Sequence, residues 1–147
     1  MYKIKNRDKS IALHTLTQCI KMLPLVRKIA EDMIDLVSSR KTVANKVEKS
    51  IKAKPKASLT WLERQQIYAD EEVVNNTDRK IEECAAELAA LGLHVLDEKI
   101  GQIGFPTIVN NGPAYFCWNP QCDTVLYWRK IDETIDRPIP PAWYKQG

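Results

Sequence analysis

Two cysteines separated by four residues are the strongest candidate for chemistry in this sequence. Cys117 and Cys122 stand in the stretch YFCWNPQCDTVLYW, residues 115–128. Such a pair could be half of a zinc site, but structural zinc needs about four ligands. The remaining cysteines and histidines, at positions 14, 19, 84 and 94, supply no second pair at a zinc-binding spacing. The sequence therefore favours a tight hairpin turn over a metal site, and we predict no metal and no cofactor.

Nucleophilic catalysis would need a thiol or hydroxyl beside a base, and the sequence has two histidines to serve as that base. His14 precedes the first predicted helix, where a solvated position is expected, and His94 lies in a predicted strand. Neither is near Cys117 in the sequence, although folding could join them. A glycine-rich phosphate loop, an HExxH helix and a GxSxG elbow are absent from the sequence. These features favour a non-enzymatic protein.

The composition is that of an ordinary folded protein. The chain has 147 residues, of which 44% are apolar and 28% charged, with a formal net charge of +3. We expect one domain over residues 1–147. No apolar run approaches the roughly 20 residues of a membrane span, and the N-terminus lacks the apolar core of a signal peptide. We therefore expect a cytoplasmic protein with reduced cysteines and no membrane partner.

Nucleic acid is disfavoured as a partner by the charge pattern. The net charge is small, and lysines cluster only between positions 46 and 56. No aromatic residue stands among them to stack on a base. A solvated helix end followed by a linker explains the cluster.

Two capping-box sequences mark the starts of helices. They are TLTQ, which begins at Thr15, and TWLE, which begins at Thr60. Pro24 predicts a kink or break between a short first helix and the long helix that follows, because proline cannot donate the helical hydrogen bond. Gly92 suits the left-handed residue that ends a helix. Two long antiparallel helices are expected from this pattern.

The hydrophobic period changes to two after Gly92, as expected for strands. An Asn-Asn-Gly turn at 110–112 and an Asn-Pro turn at 119–120 separate the β-patterned runs. The tail DRPIPPAWY is too rich in proline for a strand or helix, so we expect it to lie extended and to be held by Trp143 and Tyr144. These runs predict a three- or four-stranded antiparallel meander.

The predicted fold class is α+β. It consists of a short N-terminal helix, a long antiparallel helical hairpin and a small C-terminal antiparallel β-meander. The helical part covers about 11–92, and the meander and the proline-rich tail cover 93–147.

Alternation along PAYFCW places Trp118 on one face of its strand and Cys117 on the other. Cys117 is then expected to be a small core residue. Trp118 and Trp128 should lie on neighbouring strands and form the aromatic core of the meander. A ligand shelf is the alternative role for these two side chains.

The segments LGLHVLDEKIGQIGFPTIVNNGPAYFCW, VLYWRKID and DRPIP, with TLTQCIKMLPLVRKI near the start, resemble the bacterial family known as domain of unknown function 2203. The sequences of its members typically contain, in this order, a helix-ending Gly, a Gly-x-Val-Asp-Phe-Pro segment, a Tyr-Leu-Cys-Trp strand, a Trp-His pair and a closing Gly-Arg-x-Pro. The resemblance spans about Thr15 to Pro138. The matching positions are Leu23, Pro24, Arg27, Gly101, Phe105, Pro106, Tyr115, Cys117, Trp118, Trp128 and Arg137.

Three departures from the family pattern fall on its plausible acid, cation and base. Gly104 replaces an Asp, Pro113 replaces an Arg, and Arg129 replaces the His after Trp. Cys122 stands where the family tends to have an acidic residue, which further weakens the zinc hypothesis. The resemblance thus implies a fold and a set of structural or binding positions, without an assigned activity.

The helical half also resembles the start of helical chorismate mutases, which is the enzymatic alternative. In that hypothesis Arg27, Arg40, Lys52 and Arg64 would clamp a small dicarboxylate. The spacing between the first two arginines is shorter than the mutase pattern, and that fold has no terminal meander. The favoured function is a non-enzymatic binding or assembly module whose small-molecule ligand, if any, is unknown.

The length of the helical hairpin predicts self-association. Each helix would be roughly 40 to 45 Å long, and short strands can cover only about half of that length. Part of the apolar stripe through Leu36, Val43, Val47 and Ile67 would then remain in water, so we expect a two-fold homodimer through the long helices. The alternative is that the N-terminal helix and the tail fold back over the stripe.

Overall fold

The computed structural model describes residues 13–145 and confirms the α+β class, with two long helices followed by an antiparallel sheet. Residues 11 and 12 of the predicted helical part lie outside the described residues. The elements are α1 (Leu16–Ala53), a 3-10 turn (Lys56–Ser58), α2 (Trp61–Ala90), β1 (His94–Asp97), β2 (Gln102–Val109), β3 (Gly112–Trp118), β4 (Tyr127–Lys130), β5 (Arg137–Pro138) and a C-terminal 3-10 helix (Pro141–Lys145).

A single helix replaces the predicted short helix and the long helix after it, so the prediction of a separate N-terminal helix was wrong. α1 continues through Pro24 to Ala53. Proline lacks the N–H that would bond to the carbonyl of Ile20, four residues earlier. Both Ile20 and Pro24 are exposed, so water can hydrate the freed carbonyl. The missing bond therefore costs too little to end the helix.

Both predicted capping boxes are present. The Thr15 hydroxyl accepts from the Gln18 backbone N–H at 3.1 Å, and the Gln18 side chain accepts from the Thr15 N–H at 2.8 Å. Thr60 and Glu63 make the same reciprocal pair at 3.1 and 2.8 Å. Each box satisfies backbone donors that the first helical turn leaves without partners. The starts of both helices are thus set by local sequence.

α2 ends at the predicted glycine. Gly92 has φ of 80°, and its N–H donates to the carbonyl of Ala89. The N–H of Leu93 donates to the carbonyl of Leu88, which completes a Schellman motif. Leu88 and Leu93 are both buried, so the turn that ends α2 also starts the sheet against the core.

The sheet has five antiparallel strands in chain order, more than the three or four predicted. The added strand is β5, in which Pro138 pairs with Tyr127 of β4. The expectation of a tail without strand or helix was wrong, since the tail contains β5 and a 3-10 helix. Its predicted anchors are confirmed. The Trp143 ring lies 5.7 Å from the Trp128 ring, and the Tyr144 hydroxyl donates to the carbonyl of Val125 at 2.7 Å.

The helices cover one face of the sheet. Ile103, Phe105, Phe116, Trp118 and Trp128 belong to the same buried cluster as the proximal half of α1 and the end of α2. Phe116 on β3 pairs with Trp128 on β4, which confirms that the two tryptophans lie on neighbouring strands. Trp118 is 1% exposed and Trp128 is 8% exposed, as expected for a core role.

The far half of the hairpin extends past the sheet. Between Leu16 and Met33 the buried residues of α1 are frequent, and beyond Met33 the single buried residue is Val47. We call residues 34–53 of α1 and 61–80 of α2 the distal arm. The two helices are joined along it by ion pairs of Arg40 with Asp78 and Lys46 with Asp70, and Lys54, just after α1, pairs with Glu63 of α2.

The apolar stripe that was predicted to remain partly in water is largely covered. Val47 and Ile67 are buried, while Leu36 and Val43 are half-buried. The part of the stripe that remains partly in water is limited to Leu36 and Val43, because each helix of the hairpin shields the stripe of the other. Other apolar side chains of the distal arm face solvent.

Candidate functional site

Arg27 joins α1 to the turn that follows β3. Its Nη1 donates to the carbonyl of Pro120 and its Nη2 to the carbonyl of Cys122, each at 2.9 Å. The guanidinium carbon lies 5.1 Å from the centre of the Trp118 ring. The indole Nε1 of Trp118 donates to the same Cys122 carbonyl at 3.0 Å. The cation of Arg27 is therefore engaged in holding the turn against the core.

Gly101 lets the turn between β1 and β2 approach α1. Its φ is 67°, a conformation that side chains rarely adopt. An added Cβ would lie 2.8 Å from Cδ1 of Ile34 and 3.2 Å from Cδ of Pro120. This motif position is thus explained by backbone conformation and close packing.

The segment between Cys117 and Cys122 is the tight turn that the sequence favoured. The Cys122 N–H donates to the Asn119 carbonyl at 2.9 Å, and the Gln121 N–H donates to the Asn119 side chain at 2.8 Å. Cys122 packs against the helix-side core, whereas strand alternation directs Cys117 to the opposite face. Within residues 13–145, no three or more His, Cys, Asp or Glu side chains are grouped to hold a metal ion.

A polar network occupies the sheet face that points away from the helices, which we call the outer face. Nε of Arg129 donates to Asp136 at 2.7 Å, and Nη2 of Arg129 donates to Gln102 at 3.2 Å. The Gln102 amide in turn donates to the second Asp136 oxygen at 2.9 Å. Arg129 and Asp136 are partly shielded, with side chains 14% and 27% exposed. The three side chains provide hydrogen-bond partners for one another, so the network stabilises this face of the sheet.

The thiol of Cys117 lies next to this network and is 1% exposed. Burial, together with the negative charge of Asp136, raises its pKa to about 12. Burial likewise raises the pKa of Cys19 to about 12. Because the thiolate is the nucleophilic form, neither cysteine is activated at neutral pH.

Tyr115 and His94 form a second pair on the outer face. The Tyr115 hydroxyl lies 2.7 Å from Nδ1 of His94, and the two rings meet edge to face at 5.5 Å. The Tyr115 ring also covers Gly104, where an added Cβ would lie 2.7 Å from ring atom Cδ1. The glycine therefore makes room for the tyrosine ring.

We expect stability to fall in mild acid because of His94. Partial burial lowers its pKa from the usual 6.5. Below pH 6.5 the unfolded chain therefore binds this proton more readily than the folded chain, and the free energy of unfolding decreases as pH falls toward the folded pKa. Urea denaturation at pH 7.5 and 5.5 measures the decrease. His94→Gln should show a smaller one, and an equal decrease in the variant would contradict the assignment.

His14 is buried, so the expectation of a solvated position was wrong. Its backbone N–H donates to the Pro106 carbonyl at 2.8 Å, and its ring Nδ1 lies 3.3 Å from the same oxygen. The ring packs edge-on against Phe105 with centroids 6.0 Å apart. The segment before α1 therefore lies along β2, and motif residues Phe105 and Pro106 anchor it.

Arg137, the last motif position, packs over Trp128. Its guanidinium lies 5.2 Å from the ring centre and donates to Glu133 at 2.8 Å. The Trp128 ring is thus enclosed by Arg137 on β5 and by Trp143 in the tail. Sequence reasoning did not identify Gln102 and Asp136 as network residues, because their meeting depends on the pairing of β5, which the sequence did not predict.

The four cations of the mutase alternative do not converge within one chain. Arg27 and Lys52 lie on the same helix at a separation of about 37 Å, by the usual rise per residue. Arg27 is bound to backbone carbonyls and Arg40 pairs with Asp78. A small dicarboxylate cannot span that distance.

The fold and its motif residues define an α+β protein in which a helical hairpin is docked on a five-stranded antiparallel meander. The sequence model of the family described as an uncharacterized conserved protein, domain of unknown function 2203, matches residues 12–137. The chain belongs to this family. Comparison with curated proteins and with solved structures gave no match. Among the helices described, none is long and apolar enough to cross a membrane.

Proposed function

We propose that this protein is a non-enzymatic assembly module that forms a homodimer through its distal arm. The observation that supports this proposal is the exposed apolar surface of the distal arm. Leu62 is 71% exposed and Val73 is 46% exposed. They stand eleven residues apart on α2, which is three helical turns, so they share one face. Apolar side chains repeated along one face of a projecting helix favour a partner helix.

The charge distribution of the distal arm favours a second copy as that partner. Residues 34–53 of α1 contain five basic and two acidic residues, a net charge of +3. Residues 61–80 of α2 contain three basic and five acidic residues, a net charge of −2. A two-fold dimer of hairpins can place α1 of one chain beside α2 of the other. Opposite charges would then face each other across the interface.

The chemistry of the possible nucleophiles and bases supports the non-enzymatic part of the proposal. Both described histidines contact a fixed oxygen, from Pro106 or from Tyr115. The thiols of Cys19 and Cys117 have pKa values raised to about 12 by burial. All four cysteines are free thiols, which supports a reducing compartment such as the cytoplasm as part of the same proposal.

Light scattering after size exclusion at low micromolar concentration tests the homodimer. The unmodified chain should have about twice the chain mass of 16.9 kDa. Leu62→Glu should give the monomer mass, because it would bury a carboxylate without a partner in an apolar interface.

Ile135→Glu is the matched control, since Ile135 is 70% exposed and lies outside the distal arm. It should leave the dimer intact. Raising the salt concentration should weaken the dimer of the unmodified chain, because added ions screen the complementary charges. A monomeric mass for the unmodified chain, or a dimer that both variants preserve, would contradict the proposal.

A further inference from the structure

A cavity of about 640 Å³ lies at the tip of the distal arm, where α1 ends and α2 begins. Its volume falls in the range of roughly 300 to 1,000 Å³ that is typical of small-molecule sites. The apolar part of its wall comes from both helices and the connecting turn. These side chains are Ile51, Leu59, Ile67 and Tyr68.

The cations around the cavity differ in whether they are already neutralised. Lys54 donates to both carboxylate oxygens of Glu63, at 2.8 and 3.1 Å, and this hydrogen bond lowers the pKa of Glu63. Lys54 is therefore balanced by a fixed negative charge. The contacts found among residues 13–145 give Lys56 and Arg64 no acidic partner.

The charge balance of the cavity selects a ligand with a single negative charge. Glu71 is the acidic residue among the described side chains of the wall, which also contains the two unpaired cations Lys56 and Arg64. Two positive charges and one negative charge leave a net charge of +1. One ligand carboxylate would neutralise this positive charge. A dicarboxylate would leave a net negative charge, and a neutral ligand would leave the positive charge uncompensated.

We propose that the tip cavity binds a small amphipathic monocarboxylate. The carboxylate contacts Arg64 and Lys56, and the apolar body lies against Tyr68, Leu59 and Ile67. This inference goes beyond the proposed assembly, because Leu62 and Val73 do not line the cavity. A binding measurement and a mass measurement therefore test the two ideas separately.

Isothermal titration with decanoate, below its micelle concentration, tests the proposal. We expect one saturable site per chain. Arg64→Gln should weaken decanoate binding by roughly tenfold, because it removes a charge-assisted contact to the carboxylate. Tyr68→Ala should weaken the binding of both decanoate and decanol, because it removes apolar wall.

Arg79→Gln is the matched control, since Arg79 is an exposed arginine of the same helix outside the cavity wall. It should leave decanoate binding unchanged, and decanol should bind the unmodified chain at least several-fold more weakly than decanoate. The absence of saturable binding would overturn the proposal. Equal affinity for acid and alcohol, or an Arg64→Gln variant that binds decanoate normally, would also overturn it.

A lipid surface also presents negative groups joined to apolar chains. Exposed Trp61 and Leu62 are close in sequence to the same cations, so a lipid surface is the other candidate ligand. Co-sedimentation with vesicles of phosphatidylcholine containing phosphatidylglycerol distinguishes the two sources. We expect the chain to remain in the supernatant. Sedimentation with the vesicles, in the absence of decanoate binding, would overturn the proposal that the cavity binds a soluble monocarboxylate.

Discussion

Trp118→Ala should lower the free energy of unfolding by about 3 to 5 kcal/mol, the usual cost of removing a large aromatic side chain from a core. Trp118 is 1% exposed and lies between the sheet and α1. The substitution would also remove the indole N–H that donates to the Cys122 carbonyl and the ring over which Arg27 packs. Urea denaturation followed by circular dichroism measures the loss.

Ile135→Ala is the control for this substitution, because Ile135 lies outside the distal arm that is proposed as the dimer interface. Ile135 is 70% exposed, so truncating it should change the free energy of unfolding by less than about 0.5 kcal/mol. A Trp118→Ala protein as stable as the unmodified chain would contradict the core role. That result would favour the alternative in which Trp118 forms part of a ligand shelf.

The features that sequence reasoning predicted correctly depend on residues close together in the chain. The capping boxes at Thr15 and Thr60 satisfy their hydrogen bonds within four residues. The turn at Asn110 and Asn111 has positive φ at both positions, 54° and 66°, as a two-residue hairpin requires. Strand alternation also placed Trp118 and Cys117 on opposite faces of β3, but it did not indicate which face meets the helices.

The features that sequence reasoning missed depend on distant partners or on solvent. His14 is buried because its segment meets β2, 92 residues later. β5 forms because two tail residues pair with β4, although their composition resembles that of a loop. Pro24 stays in α1 because the freed carbonyl is on the solvent side. None of these outcomes is encoded in local periodicity.

The same limit applies to the candidate site. The resemblance identified Tyr115, Cys117 and Arg129 as positions of interest, but it could not indicate their partners. Arg129 meets Asp136 and Gln102 across three strands, and Tyr115 meets His94. The tip cavity has no sequence motif, since it depends on how α1, the connecting turn and α2 meet.

Arg27→Met should lower the free energy of unfolding by about 2 to 3 kcal/mol, because hydrogen bonds from a charged donor are lost and two shielded carbonyls lose a donor. Methionine keeps much of the apolar stem of arginine, so the loss reports mainly on the hydrogen bonds. The bonds at risk are those to Pro120 and Cys122, each 2.9 Å long. Arg27→Lys should recover only part of the loss, because an ammonium group cannot reproduce the two-pronged contact.

Arg40→Met is the matched control on the same helix. Arg40 pairs with Asp78, and both side chains are 43% exposed. An exposed ion pair contributes at most about 1 kcal/mol, so this variant should lose much less stability than Arg27→Met. Equal losses in the two variants would mean that Arg27 acts as an ordinary surface charge. The motif arginine would then need a role other than fixing the turn after β3, such as contact with a ligand.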